Sequence, residues 1–514
     1  MSNALLRLLP LSAVVALAAL LLTWQPAREV SAALVAFAYV ALCAGIYRQR
    51  RARPAPEPAG ELLIAYASQS GQARNIAERS AAQLAAAGMH AMPLALNELD
   101  PSHLARYRRG LFVVSTYGAG EAPDNATRFE RQLLTSSLTL RGFEYAVLAL
   151  GDRNYPDFCA FGRRLDRRLQ AAQASPLFDR IEVDRGEHGA LRHWQQRLAH
   201  LGGQQEFSDW QPTPYRRWQL QRRQCLNPGS AGAPVYLLTL LPLDGEDRWQ
   251  AGDIAEVGPR HAAETVRAWL RRAGLAADQP LPDGRTIADA LGDRRLPPAG
   301  SAKPDIASLL ALPPLAPRSY SIASIGTGGA LQLLVREARA ADGHLGLGSG
   351  WLCRYAPLGS EIALRVRANP AFHGPSADTP LILIGNGTGI AGLRSHLQER
   401  AALPNTRNWL LFGERNGKHD FFFREELQGW LDSGHLQRLD LAFSRDQAAK
   451  LYVQHLLRDA ADELRCWVDA GAAIYVCGSL EGMGAAVQQI LVGVLGEQRL
   501  AVLAEQSRYC RDLY

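Results

Sequence analysis

Three loops rich in hydroxyls and glycine follow apolar runs along this chain. Ser68-Gln69-Ser70-Gly71-Gln72-Ala73-Arg74-Asn75 comes directly after Leu62-Leu63-Ile64-Ala65-Tyr66. Hydroxyls, a glycine and exposed backbone amides at the start of a helix make a cradle for phosphate. Ser115-Thr116-Tyr117-Gly118-Ala119-Gly120-Glu121 and Leu150-Gly151-Asp152-Arg153-Asn154-Tyr155 follow the next candidate strands. Glycines let backbone approach a flat ring, and Tyr117 and Tyr155 can cover its faces. Further on, Pro380-Leu381-Ile382-Leu383-Ile384 leads into Gly385-Asn386-Gly387-Thr388-Gly389-Ile390. Strand, glycine-rich turn and helix in that order suit a dinucleotide pyrophosphate, with Gly387, Thr388 and Gly389 at the turn. Ser444, Arg445, Lys450 and Tyr452, with Gln454 closing the block, supply two cations and two hydroxyls. That set suits a dianion such as a 2′-phosphate.

Between these blocks stand Arg318-Ser319-Tyr320-Ser321 and Gly350-Trp351-Leu352-Cys353. Arg318 can pair with a pyrophosphate, Tyr320 can stack along a ring, Ser321 can reach the ring edge, and the amides after Gly350 can hold phosphate oxygens. Taken singly, each motif has a bland reading. A Ser/Gly turn after a strand is usually only a turn, an Arg-x-Tyr-Ser is common by chance, and a charged helix start is usually solvated. Their order along one chain argues for a relay of bound cofactors.

The elements that must position these loops divide the chain. Apolar runs at 62–66, 111–115 and 145–150 alternate with helical stretches at 73–87 and 125–134, the pattern of a doubly wound parallel sheet. Its ligand belongs at the carboxyl ends of the strands. Tyr236–Leu240 and Asp253–Val257 are short β-like segments between turns, which predicts a small antiparallel barrel. The expected domains are 61–205, 206–372 with an insertion at about 259–312, and 373–514. Within the insertion only Ala262–Ala273 reads clearly as a helix.

Ahead of them, residues 8–24 and 30–47 are uncharged and apolar, near the lower length limit for membrane helices. Arg48, Arg50, Arg51 and Arg53 follow, and the positive-inside rule puts that cluster in the cytoplasm. The expectation is a two-pass hairpin over residues 1–53 in the inner membrane, in contact with lipid, with the soluble domains in the cytoplasm. A cleaved signal peptide over 8–24 is the alternative. Pro54-Ala55-Pro56-Glu57-Pro58 then forms a stiff linker at 54–60. The hairpin has no histidine for haem and no mid-span charge, so it anchors and does not conduct.

Composition excludes several classes. The net charge is +6, with no basic stripe interleaved with aromatics, so nucleic acid is not an expected partner. The seven cysteines are scattered and lack any CxxC, which argues against a disulfide framework and against a resident metal. Arginine nearly replaces lysine, since Lys303, Lys418 and Lys450 are the only lysines.

From residue 61 to 514 the chain resembles the NADPH-dependent diflavin reductases, in the style of the flavoprotein component of bacterial sulfite reductase and of NADPH–cytochrome reductases. The first domain resembles the family's flavodoxin domain. There the three loops bind FMN, which implies contacts from Ser68, Gln69, Ser70, Gly71, Gln72, Ala73, Ser115, Thr116, Tyr117, Gly118, Gly151, Asp152 and Tyr155. Ser70 and Gln72 replace the more usual Thr and Asn. The second and third domains resemble ferredoxin–NADP reductase. Arg318, Ser319, Tyr320, Ser321, Gly350, Trp351, Leu352 and Cys353 would then bind FAD, with Cys353 in place of the usual Ser or Thr. Gly392 stands where the family usually has Pro.

The resemblance further implies that Ser321, Cys477 and Asp512 orient nicotinamide against the flavin. The terminal Tyr514 would cover the flavin and move aside for nicotinamide. The implied path runs from NADPH through FAD and FMN to an acceptor protein, either a haem or iron system or a sulfite reductase haemoprotein. A self-contained quinone or dye reductase and a non-catalytic flavin-binding redox sensor or scaffold are further readings. A scaffold would not need the hydride-site residues. Residues 61–200 hold 17 Arg against 15 Asp plus Glu, so no overall acidity marks an acceptor face.

Overall fold

The structure, a computed structural model, describes residues 60–514 apart from 119, 137, 205–206, 208–209, 211–213, 299–304, 341–342 and 405. The expected hairpin at 1–53 and most of the linker lie outside the described residues. Among the described residues no helix is long and apolar enough to cross a membrane.

The first sheet comprises β1 (Gly60–Ala67), β2 (Pro93–Ala95), β3 (Tyr107–Ser115), β4 (Glu144–Gly151), β5 (Ser175–Pro176) and β6 (Ile181–Asp184). Its order is β2-β1-β3-β4-β5, with β6 also on β4, and β1 pairs in parallel with β2, as β4 does with β3, β5 and β6. Side chains alternate across each strand. Leu63, Ala65, Phe112, Val114, Val147 and Ala149 therefore fill one core, while Leu62, Ile64, Leu111, Val113, Ala146 and Leu148 fill another on the opposite face. Burial on both faces explains why these strands read as unbroken apolar runs. The helix Gln72–Ala86 buries Ala73, Ile76, Ala77, Ser80, Ala81 and Leu84, a spacing that places them on one stripe. In this strand order the connection reverses between β1 and β3, so their carboxyl ends open a crevice.

The second sheet holds β7 (Arg216–Cys225), β8 (Val235–Pro242), β9 (Ile254–Val257), β10 (Arg318–Ser321), β11 (Leu331–Arg336) and β12 (Glu361–Arg367). It is antiparallel in the order β10-β9-β12-β7-β8-β11. A bridge between Ile322 and Leu333 joins its two ends, so the sheet closes on a core that includes Trp218, Leu220, Leu238, Leu333 and Leu364. Between β9 and β10 the insertion forms three helices, Ala263–Arg272, Ile287–Leu291 and Ile306–Leu310, over a core of its own. Two of these were not evident from hydrophobic periodicity, because five residues is too short for a stripe. Their caps carry the signal instead: Thr286 and Asp289 form a capping box, and Asp305 accepts from the amides of Ala307 and Ser308.

The third sheet is parallel, with β13 (Leu381–Asn386), β14 (Asn408–Glu414), β15 (Arg438–Phe443), β16 (Ala473–Gly478) and β17 (Tyr509–Leu513) in the order β15-β14-β13-β16-β17. The connection reverses between β13 and β16, where a dinucleotide crevice belongs.

Candidate active site and cofactor sites

At that reversal the turn Gly387–Gly389 opens the helix Ile390–Ala401. A Cβ on Gly389 would lie 2.2 Å from the Cys477 carbonyl oxygen, and one on Gly385 would lie 2.7 Å from it. Only glycine lets the two strand ends approach this closely, which leaves a backbone cradle at a helix start, the shape a pyrophosphate needs. Beside it the Ser321 hydroxyl donates to Asp512 Oδ2 at 2.7 Å, and the Cys477 thiol lies 3.8 Å from the same oxygen. These residues come from β10, β16 and β17, so the fold gathers side chains widely separated in sequence. Burial pushes the Cys477 thiol well up, and the Asp512 carboxylate adds to it. Cys477 therefore stays a thiol and is no nucleophile. Burial also raises Asp512, against the hydrogen bonds from Ser321 and Cys477. A Cβ at Gly392 would meet Cys477 Sγ at 3.4 Å and Ser321 Cβ at 3.5 Å, so the helix start packs directly on this trio.

Tyr514 ends the chain over the same turn. Its amide donates to the Gly478 carbonyl at 3.0 Å and its carbonyl accepts from Leu480 at 3.0 Å. Its hydroxyl is 3.2 Å from Thr388 Oγ1, and the residue is about half exposed (53%). The Tyr514 hydroxyl thus contacts the turn directly.

On β10, the Arg318 guanidinium bonds only to its neighbouring carbonyls of Ala316 and Pro317, with no carboxylate partner among the described residues. Ser319 is exposed on the same strand. A Cβ on Gly348 would lie 2.6 Å from Arg318 Cγ and 2.7 Å from the Tyr320 hydroxyl. The loop that meets Arg318 and Tyr320 is therefore Gly346–Gly350, one turn ahead of the expected Gly350–Cys353 block. Trp351, Leu352 and Cys353 are buried. The Cys353 thiol faces the Val335 carbonyl at 3.8 Å and burial pushes it up to about 12. Its side chain is part of the barrel core and cannot replace a ligand-facing Ser or Thr; the backbone amides of this turn remain the candidates. A cation without a counter-charge beside a glycine cradle fits a pyrophosphate.

Beyond β15, Ser444 donates its amide to the Glu414 carbonyl at 2.9 Å, and Arg445 donates to the Arg415 carbonyl at 2.8 Å. Asp446 pins the neighbouring turn by accepting from Gly417 at 2.8 Å and Asn416 at 3.0 Å. Neither Arg445 nor Lys450 has a carboxylate partner among the described residues, whereas Arg438 pairs with Asp440 and Arg458 with Asp459. Tyr452 is 40% exposed, and Gln454 keeps a buried Oε1 without a partner. Two unpaired cations on one strand end fit a dianion.

The three loops expected to bind FMN sit at the ends of β1, β3 and β4. Gly71 has φ 81° and opens the helix that follows. Ser68 Oγ and the Tyr117 hydroxyl are buried without partners, the state expected of groups that await a ligand. Ser115 Oγ donates to the Ala67 carbonyl and Thr116 Oγ1 accepts from Phe161, so these two brace the loops. Gly118 has φ 54°, and a Cβ on Gly151 would lie 2.9 Å from Cys159. Asp152 caps its own turn through Asn154 at 2.8 Å, and Tyr155 is exposed. Gln72 and Ala73 begin the first helix. Gln69 turns elsewhere. Its amide donates to Asp124 at 2.9 Å and to the Arg511 carbonyl at 2.8 Å, and its Oε1 accepts from the Asp124 amide. Ser70 gives its carbonyl to Arg367, and a Cβ on Gly71 would lie 2.7 Å from the Ala368 oxygen. The phosphate loop therefore abuts the end of β12.

Sequence reasoning missed Arg367 and Arg511, whose partners Ser70 and Asp124 lie hundreds of residues away, and Gly348, which stands inside a glycine-rich stretch. It also missed Asn386, quoted within its motif, whose Oδ1 accepts from the Ser479 amide at 2.9 Å and ties β13 to β16.

Comparison with known proteins bears on these sites. A flavodoxin family matches residues 64–194 and an oxidoreductase NAD-binding domain matches residues 383–489. The sulfite reductase [NADPH] flavoprotein alpha-component of Vibrio cholerae is 30% identical over 541 residues, 88% of this chain and 88% of that protein. Its counterpart in Aliivibrio fischeri is 29% identical over 550 residues, 91% of each, and that of Neisseria meningitidis is 29% identical over 560 residues, 92% of each. These findings overturn the expected two-pass placement in the inner membrane, with lipid as a partner. Relatives that match over nearly their whole length are named as sulfite reductase components, and no helix among the described residues can span a bilayer. A parallel flavodoxin-type sheet, a parallel nucleotide-type sheet and relatives of this kind together establish that the chain belongs to the NADPH-dependent diflavin reductases, oxidoreductases that use FMN, FAD and NADPH.

Proposed function

We propose that this chain delivers electrons from NADPH, by way of FAD and FMN, to the haemoprotein partner of a sulfite reductase. When bound, NADPH supplies a hydride and the two flavins pass its electrons on singly. The chain supplies distance, orientation and polarity. Arg445 and Lys450 with Ser444 and Tyr452 hold the 2′-phosphate. Gly387, Thr388 and Gly389 hold the pyrophosphate. Ser321, Cys477 and Asp512 orient the nicotinamide, and none of them has to act as a base. Arg318 and Tyr320 hold FAD, and Ser68, Ser70 and Tyr117 hold FMN. The observation that carries the reading is the Ser321–Asp512–Cys477 convergence beside the glycine cradle at the reversal of the third sheet. A scaffold has no use for it.

The names of the relatives favour sulfite reductase over other haem or iron acceptors. Reconstitution tests the choice. With NADPH and a purified sulfite reductase haemoprotein, sulfide should form at a rate that saturates with the haemoprotein. Reduction of cytochrome c without any sulfide would reject this acceptor and leave another haem protein.

A further inference from the structure

Strand β17 presents its residues alternately to two sides. Asp512 reaches Ser321 and Cys477, and Cys510 packs in the core behind them. Arg511 points the other way, into the flavodoxin domain. Its guanidinium donates to Asp124 Oδ1 at 2.5 Å and lies 3.4 Å from Glu121 Oε2. It stacks 4.9 Å over the Tyr117 ring and 5.4 Å over Tyr509. Its own carbonyl accepts from Gln69. One residue thus touches both the first and the second FMN loop while its chain neighbour belongs to the hydride site. Exposed ion pairs contribute little, but only 11% of the Arg511 side chain and 12% of the Asp124 side chain are exposed. Burial opposes the charge on Arg511, and the facing Asp124 carboxylate together with the Tyr509 and Tyr117 hydroxyls outweighs it. Arg131 with Glu505 braces the same domain contact, and Arg367 with Ser70 ties the first domain to the barrel.

We propose that Arg511 is a positioning residue for electron transfer between the flavins, holding the FMN loops against β17 through Asp124, Tyr117 and Gln69. Electron transfer depends on the distance and orientation between the donor and acceptor rings, and this clamp ties the FMN loops to the strand that carries Asp512. The clamp rests on the diflavin reading, which flavin content and NADPH bleaching of the unaltered chain check separately.

The test uses the full chain and two readouts. Hydrogen exchange over residues 116–125 and 509–514 reports docking with or without flavin. Anaerobic stopped-flow absorbance separates reduction by NADPH from the later phase between flavins. Arg511→Ala should raise exchange in both segments and slow the later phase about tenfold, the loss expected for a buried charge-assisted contact. The first phase should stay within about twofold, because Asp512 keeps its partners. Asp124→Asn, in the other domain, should do the same, and covers the case in which the Arg511 variant fails to fold. Arg511→Asp combined with Asp124→Arg should recover both readouts relative to either single exchange, which a general structural role would not allow. Unchanged exchange in Arg511→Ala or Asp124→Asn, equal slowing of both phases, or a double exchange no better than the singles would overturn the proposal.

Discussion

Arg445 and Lys450 have no carboxylate partner among the described residues, and under the proposed function they set the choice of nucleotide. Replacing either with Ala should raise KM for NADPH by roughly 10- to 100-fold, as the loss of a charge-assisted contact does, and leave KM for NADH unchanged. Steady-state assays with both nucleotides check this. Asp512 separates function from stability. Burial raises its folded value above the usual carboxylate range, so the ionised form is disfavoured by the fold. A raised carboxylate contributes most to stability below its unfolded value near 3.8, and that contribution is lost as pH rises through the folded value. At pH 7 the native chain carries this cost and Asp512→Asn does not. The variant should therefore gain in Tm relative to wild type between pH 4 and pH 7, while its hydride step slows roughly 100-fold through lost orientation. Thermal melts at the two pH values and single-turnover absorbance read the two effects. Ser321, Cys477 and Asp512 were legible through family resemblance, because each stands in a short recognisable string. Arg511 was not, because its partner Asp124 lies 387 residues away in sequence. The inward turn of Cys353 was hidden as well, since sequence places a residue in a helix without fixing which side faces the core.

Elements with a simple periodicity were the most legible. The unbroken apolar runs of β1, β3, β4 and β13 announced buried parallel strands, and the glycine turns after them announced ligands. β7 was not foreseen, because arginines at 216, 217, 222 and 223 hide the buried Trp218 and Leu220, and a register shift between Leu220 and Arg222 breaks the alternation. The short helices of the insertion were missed for want of a stripe. At the glycine turn the motif was legible but the reason for its tightness was not, since that is the Cys477 carbonyl on the adjacent strand. Gly389→Ala would drive a Cβ to within 2.2 Å of that oxygen. The turn must shift, at a cost of about 1–3 kcal/mol typical of overpacking. NADPH affinity should fall with it, while FMN content stays unchanged because the loops expected to hold FMN follow strands of the first sheet, to which the turn does not belong. Titration calorimetry with NADP+ and flavin analysis after purification check both.

At the scale of the molecule, residues 62–514 form one compact unit, and the order of the expected cofactor loops along the chain is the reverse of the proposed electron path. That order was readable from sequence. How the first domain docks on the third was not, since it rests on contacts such as Arg131 with Glu505 and Arg511 with Asp124 that carry no local pattern. The expected membrane placement rested on two apolar runs of marginal length, and length alone does not set a segment's surroundings. The most direct test of the account is anaerobic stopped-flow absorbance of the purified chain, mixed with NADPH and separately with NADH. The account predicts two flavins per chain, one FAD and one FMN, bleached rapidly and in two phases by NADPH and far more slowly by NADH. A single flavin per chain, or equal rates with the two nucleotides, would contradict it.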